Sequence, residues 1–306
     1  MNDITKDLLA SISAFGESLP DAYSIREDGA CAARQSTEHI RIEDKKGAPG
    51  LVVRVAPGTK GETVAVPACV THGGIEDLVY NDFYIGEGAD VVISAGCGVH
   101  ADEGGESLHN GIHRFFLGKN SHVVYKENHV GTGGGAAVRR IDPVTDAFLE
   151  EGAVLEMDTA QLGGVTRAVR RTTAELAARA KLIVRERLLT DGTEFARTDF
   201  LVKLNGEDSG ADVISRSVAK DDSRQEYRSR IEGNARCTGH TECDAILVGN
   251  GVVSASPELL AADVDAALIH EAAIGKIAGE QILKLRTFGL TEEEAEQKII
   301  EGFLNA

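Results

Sequence analysis

Tryptophan is absent from this 306-residue sequence, and aromatic residues make up only 5% of it. So few rings leave little surface on which nucleobases could stack. Basic residues are also in deficit: 32 Lys and Arg against 49 Asp and Glu give a formal net charge of −17. That balance repels phosphate backbones and anionic headgroups, so no nucleic acid is expected as a partner and the surplus acid reads as solubility. Apolar runs are short, "DAILVG" and "AKLIV" being typical, against the roughly 20 residues that a bilayer-spanning helix needs. The start, "MNDITKDLLA", places no basic flank before an apolar core, so neither export nor a membrane location is expected. The five cysteines, at 31, 69, 97, 237 and 243, are odd in number and irregular in spacing, which argues against a disulfide framework and for reduced thiols in the cytoplasm. The glycine run "VGTGGGAAVRR" at 130–140 has no Gly-Lys-Ser/Thr ending. It therefore reads as a turn rather than a phosphate loop.

What is present is 42% apolar content, enough for one large core or two ordinary ones. Leu8, Leu9, Ile12 and Phe15 fall at helical spacing in "ITKDLLASISAF", with Gly16 and Pro20 behind them, so a short N-terminal helix is expected within a segment 1–38. From about 39 to 262 the pattern alternates apolar and polar residues ("LVVRVAP", "ETVAVPACVT", "HRFFLGKNSHVVYKEN", "AKLIVRERLL"), with Gly, Asn and Asp at the breaks. These are strands, in a pattern that suits a β-sandwich, a cupin-like barrel or a β-solenoid. No hexapeptide or nonapeptide period singles out the solenoid. "GGVTRAVRRTTAELAARAKL", although rich in helix formers, alternates with period two through Arg167, Val169 and Arg171, and is read as a strand with one charged face. Residues 265–286 read as a helix with Ile269, Ala273 and Ile277 on one stripe and Gly289 as the stop. Thr291 and Glu294 then make a capping box, so that a helical hairpin closes the chain over 263–306, with Phe288, Leu290, Ile300, Phe303 and Leu304 as its exposed apolar face.

"CTGHTEC" gathers Cys237, His240 and Cys243 into seven residues. If extended, the two thiols share a face about 20 Å apart and His240 points the other way, so one ion cannot bind all three. A local zinc or iron site would require a tight turn at Gly239. The non-local set Cys243, His270 and Glu271 joins a strand thiol to an imidazole and a carboxylate at the start of the last helix, a mixed set suited to a labile metal or cluster. A buried strand cysteine and a His-Glu pair also occur without function. Upstream, Cys97, His100, His109, His113, His122 and His129 crowd into 33 positions. Either they form a cupin-like enzyme's metal site or they are satisfied histidines at strand ends at the surface.

"SRSVAKDDSRQEYRSRIEGNARCTGHTECDAILVG" and "IHEAAIGKIAGEQILKLRTFGLTEEEAEQKIIEGF" closely resemble the C-terminal half of the SufB/SufD scaffold proteins of iron–sulfur cluster assembly, over roughly 150–304. The resemblance implies a mostly β protein: a right-handed parallel β-helix core, with a short N-terminal helix and a C-terminal helical hairpin. It also implies a SufC-type ABC ATPase as partner, a transient iron–sulfur cluster, and recipient apo-proteins. The family's strand cysteine in a Cys-Asp context and its His-Glu-Ala pair fall on Cys243, His270 and Glu271, leaving Cys237 and His240 auxiliary. Having both the cysteine and the histidine, the chain looks like a homodimeric scaffold of a minimal system, with His270 and Glu271 expected from the neighbouring subunit. ATP chemistry would belong to the partner. The upstream cysteine of larger relatives has no clear match, and Cys97 or Cys69 could replace it.

Overall fold

A computed structural model of the chain describes residues 1–12, 19–102 and 104–305; the helix positions expected at Phe15 and Gly16 lie outside them. Helix α1 (Asp3–Ile12) precedes the strands β1 (Ala22–Glu27), β2 (Ala30–Gln35), β3 (Ile40–Asp44), β4 (Leu51–Val55) and β5 (Lys60–Val70). There follow β6 (Glu76–Ile85), β7 (Asp90–His100), β8 (Glu106–Leu117), β9 (His122–Thr132), β10 (Val138–Ile141), β11 (Val144–Leu149) and β12 (Val154–Leu162). Next come β13 (Arg167–Leu176), β14 (Lys181–Thr190), β15 (Phe195–Leu204), β16 (Gly210–Ala219), β17 (Arg224–Gly233) and β18 (Cys237–Leu247). The last strands are β19 (Val252–Ala261) and β20 (Ala266–Lys276), before α2 (Gly279–Arg286) and α3 (Glu292–Leu304).

Two ten-stranded sheets result. One runs β2-β1-β5-β7-β9-β12-β14-β16-β18-β20, and the other runs β19-β17-β15-β13-β10-β8-β6-β4-β3 with β11 beside β13 and β8. From β12 onward each strand hydrogen-bonds in parallel to the strand two places on, the topology of a β-solenoid that alternates between its faces. The register repeats every 28 or 29 residues in the last turns, as in Phe195 beside Arg224 and Arg224 beside Val252. The first turn differs, because β1–β2 and β3–β4 pair antiparallel, and in the middle the short strands β10 and β11 share one position between β8 and β13.

Alternate side chains point inward, so a core forms between the sheets. Phe83 and Phe115 stack there with centroids 4.6 Å apart, and Val184, Val202 and Leu204 have no exposed surface. Turns between strands use left-handed backbone, and where the turn at Gly164 meets the end of β9 glycine is obligatory: a Cβ on Gly131 would lie 1.8 Å from the Gly164 carbonyl oxygen.

The strand expected at 163–182 is β13 with the start of β14. Its outer face carries Arg167, Arg171 and Glu175, but Arg170 points inward and is buried, which a single charged face did not anticipate. The helix expected over 265–286 is mostly strand: β20 occupies Ala266–Lys276 as the last rung, and only Gly279–Arg286 is helical. Strands therefore extend beyond the segment 39–262 at both ends, into the regions 1–38 and 263–306. Gly289, at φ +97°, ends the α2 segment, and the Thr291–Glu294 capping box is formed. Ile300 and Leu304 are not exposed. They pack with Val218 on the outer face of the solenoid, leaving Phe288 and Leu283 as the large exposed apolar side chains of the hairpin.

Candidate functional site

Cys237–Leu247 is extended, so Cys237 and Cys243 both point into the solenoid and His240 points out. The three do not form a local cluster. His270 lies opposite Thr241 and Ala272 opposite Cys243, which puts His270 on the inner face one rung from Cys243 and two residues back. With strands about 4.8 Å apart and about 3.3 Å of rise per residue, the two Cα atoms are roughly 8 Å apart. The solenoid period explains this: 27 residues in sequence is one turn less two residues. Within one protomer such a pair can approach only where the intervening rungs stack, and the register of β18 with β20 supplies that stacking. Glu271, by contrast, stands opposite Glu242 on the outer face; the structure brings Cys243 and His270 together and sends Glu271 to His240.

The inner pair joins a buried thiol to an imidazole with one unpartnered nitrogen. Cys243 is 1% exposed, and burial, then Glu186 and Asp244, push its thiol up to about 12. It remains a thiol until a cation compensates its charge. His270 Nδ1 is buried with no hydrogen-bond partner, an orphan whose cost a metal bond would remove. Behind Cys243 the same inward column continues through Ser215, which donates to Glu186 at 2.6 Å. The pair lies at the open end of the solenoid, since β20 and β19 have a neighbour on one side only. Sequence reasoning put His270 at the start of a helix, whereas it lies within strand β20.

The upstream histidines lie mostly inside the solenoid rather than at its surface, and all but His129, whose Nε2 is buried without a hydrogen-bond partner, are held by named neighbours. Tyr125 donates to Glu127 at 2.8 Å, so His113 donates through Nδ1 to Tyr125 at 2.7 Å while its Nε2 accepts from Asn81 at 3.2 Å. Burial holds His113 down to about 4. His129 Nδ1 accepts from Arg170 at 3.2 Å, and His109 Nδ1 contacts Asp77 at 3.1 Å. His122 faces outward, bridging Asp90 and Glu156, and His100 lies at a strand end beside Thr132 and Asp102. His113 and His129 therefore keep no lone pair for a metal, and the fold is not the barrel that a cupin-like site requires. Arg170 anchors this interior, at 2.6 Å from Glu127 and 3.6 Å from Glu186. Cys97 borders a cavity of about 290 Å³ that also touches Cys31, Arg26, His109 and His113, whereas Cys69 packs against Leu8 and Ile12 of α1. Burial raises both of these thiols.

The chain is thus a parallel two-sheet β-solenoid with a buried thiol and an unpartnered imidazole nitrogen on its last two rungs. The family model for the SUF system FeS cluster assembly, SufBD core domain, matches residues 81–303. The chain belongs to the SufBD family of iron–sulfur cluster assembly proteins. It is similar to an iron-sulfur cluster assembly SufBD family protein of Archaeoglobus fulgidus, 31% identical over 89% of this chain and 72% of the relative. Proteins of the same description match from Methanothermobacter thermautotrophicus (28%, over 84% of this chain and 62% of the relative) and Methanocaldococcus jannaschii (27%, over 77% and 74%). Among the described residues no helix is long and apolar enough to cross a membrane.

Proposed function

We propose that the chain is a scaffold on which an iron–sulfur cluster is assembled and from which it is transferred, working with a SufC-type ABC ATPase. The observation that carries this reading is the orphaned His270 Nδ1 beside buried Cys243 on the last two rungs. The iron of the cargo would displace the Cys243 proton and take the His270 lone pair. Because the thiol is so weakly acidic, the bond is reversible by protonation, which suits a carrier that must release its cluster.

One protomer supplies two inner ligands, fewer than a cluster ordinarily takes. The second set would come from a second copy. At the N-terminal end the short antiparallel strands β2 and β3 close the solenoid, while at the other end β19 and β20, ten and eleven residues long, leave full edges unpaired. Exposed Leu259, Leu260, Ile269 and Ile274 border those edges. Such an edge invites strand pairing, and a two-fold axis there would bring two Cys243–His270 pairs together. The ATPase would dock on the C-terminal hairpin at Phe288 and Leu283 and move the copies relative to each other. Cys97, the upstream thiol bordering a cavity, is the better placed of the two candidates for receiving sulfur.

Anaerobic purification of the dimer with its ATPase, followed by iron and sulfide analysis and transfer to an apo-ferredoxin, tests the reading. Bound iron and sulfide in equal amounts and passed to the acceptor are expected. A preparation that forms no cluster under reconstitution would overturn the scaffold function.

A further inference from the structure

The outer face of the same two rungs holds a second constellation. His240 and Glu242 lie two residues apart on β18, and Glu271 is the register partner of Glu242 on β20. One ligand atom from each of the three can be chosen so that all lie within 4.8 Å of one another. We propose that His240, Glu242 and Glu271 form a binding site for a single divalent transition-metal ion, separate from the inner Cys243–His270 pair.

Two independent features point to a cation. First, Asp212 accepts from His240 Nδ1 at 2.7 Å, which fixes the tautomer and turns Nε2 toward Glu271, 3.5 Å from its Oε2. A neutral imidazole then presents a lone pair to a carboxylate, an arrangement that needs a proton or a metal between them, and the carboxylate–histidine–metal relay is the usual way an imidazole ligand is held. Second, Glu242 and Glu271 are like charges directly opposite across a strand pair, where they repel. Asp244 adds to this field, Arg216 forms an ion pair with Glu242 at 3.7 Å, and Arg185 is engaged by Asp212 at 2.7 Å. A half-buried imidazole with two carboxylates and no thiolate suits Fe(II), Mn(II), Co(II) or Zn(II) rather than Cu(I) or a closed structural zinc.

That the cation in the cell is ferrous iron, held one side-chain alternation from the Cys243 thiol before it is built into a cluster, rests on the scaffold reading. The site itself does not. Its test is a titration of the full chain with Co(II) and with Mn(II) alone, followed by visible absorption and electron paramagnetic resonance, in the wild type and in His240→Ala, Glu271→Gln and Cys243→Ala. One saturable equivalent per chain is expected, weakened at least tenfold by His240→Ala and by Glu271→Gln and changed less than twofold by Cys243→Ala. All substituted side chains but Cys243 face outward, and far-ultraviolet circular dichroism checks that each variant folds. Absence of a saturable equivalent in the wild type, or equal affinity in wild type and His240→Ala, would overturn the proposal. Loss on Cys243→Ala alone would assign the metal to the inner pair instead. Since the titration uses no sulfide and no ATPase, it can fail while cluster assembly succeeds, or succeed while assembly fails.

Discussion

Replacing Arg170 by Met keeps much of the side-chain volume inside β13 and removes the charge. In the native interior Arg170 is 6% exposed, donates to Glu127 at 2.6 Å and lies 3.6 Å from Glu186. Burial opposes the Glu127 charge, but Arg170 and then His129 outweigh it and hold its carboxyl well below the usual range. Removing one partner of such a buried pair strands the other, at a cost of about 3–5 kcal/mol, on the order of a 10 °C fall in melting temperature for a chain of this size. The sign with pH follows. A carboxyl depressed in the folded state contributes stability that is complete above its unfolded value, about 4.3, and lost only as pH falls through the lower folded value. In Arg170→Met the largest depressing influence is gone while burial persists, so the Glu127 carboxyl rises, and the deficit relative to wild type should be widest near pH 7 and narrow toward pH 4. Urea unfolding at several pH values measures both, and Glu127→Gln with Arg170→Met should recover part of the loss. A deficit below about 1 kcal/mol at pH 7, or one that does not change with pH, would show that the interior network does not hold these turns together.

Ile300→Ala should cost about 2–4 kcal/mol by opening a cavity between α3 and Val218, where Ile300 is 2% exposed, and chemical denaturation with a fluorescence probe on α3 will register it. Truncation after Lys276 removes both C-terminal helices and leaves β20 in place; loss of ATPase capture with an unchanged strand signal in circular dichroism is expected, and retained capture would move the docking surface elsewhere. Alkylation by iodoacetamide at neutral pH should modify exposed Cys31 first and leave Cys243, with its thiol at about 12, among the last; mass spectrometry of the time course decides it.

The strands of the central turns could be read from sequence because their inner and outer positions differ sharply, as in β15, where every second residue is buried. That contrast fails at the open end. In β20 the inner face is only half-buried, and only as far as His270, and "AALIHEAA" consists largely of good helix formers, so neither alternation nor composition betrays a strand; hydrogen bonding to β18 decides its state. The turn length was hidden for a related reason. Stacked positions such as Asp212, His240 and Ile269 share backbone register and no chemistry, so no repeat appears in the residues. Arg170 carried one usable signal: it has the opposite parity to Arg167 and Arg171, which places it inward once the strand is accepted. The parity of Cys237, His240 and Cys243 was enough to separate the thiols from the imidazole, whereas the meeting of His240 with Glu271 depended on knowing the rung length.

Retention of a preformed cluster tests the inner pair without involving assembly. Wild type, Cys243→Ser, His270→Ala and His240→Ala are reconstituted anaerobically, desalted, and assayed for iron and sulfide per chain. Loss of cluster in Cys243→Ser and His270→Ala, with retention in His240→Ala, is the outcome that the inward geometry of Cys243 and His270 requires. A His270→Ala chain that holds its cluster as the wild type does, or a His240→Ala chain that loses it as completely as Cys243→Ser, would contradict that geometry as the basis of function.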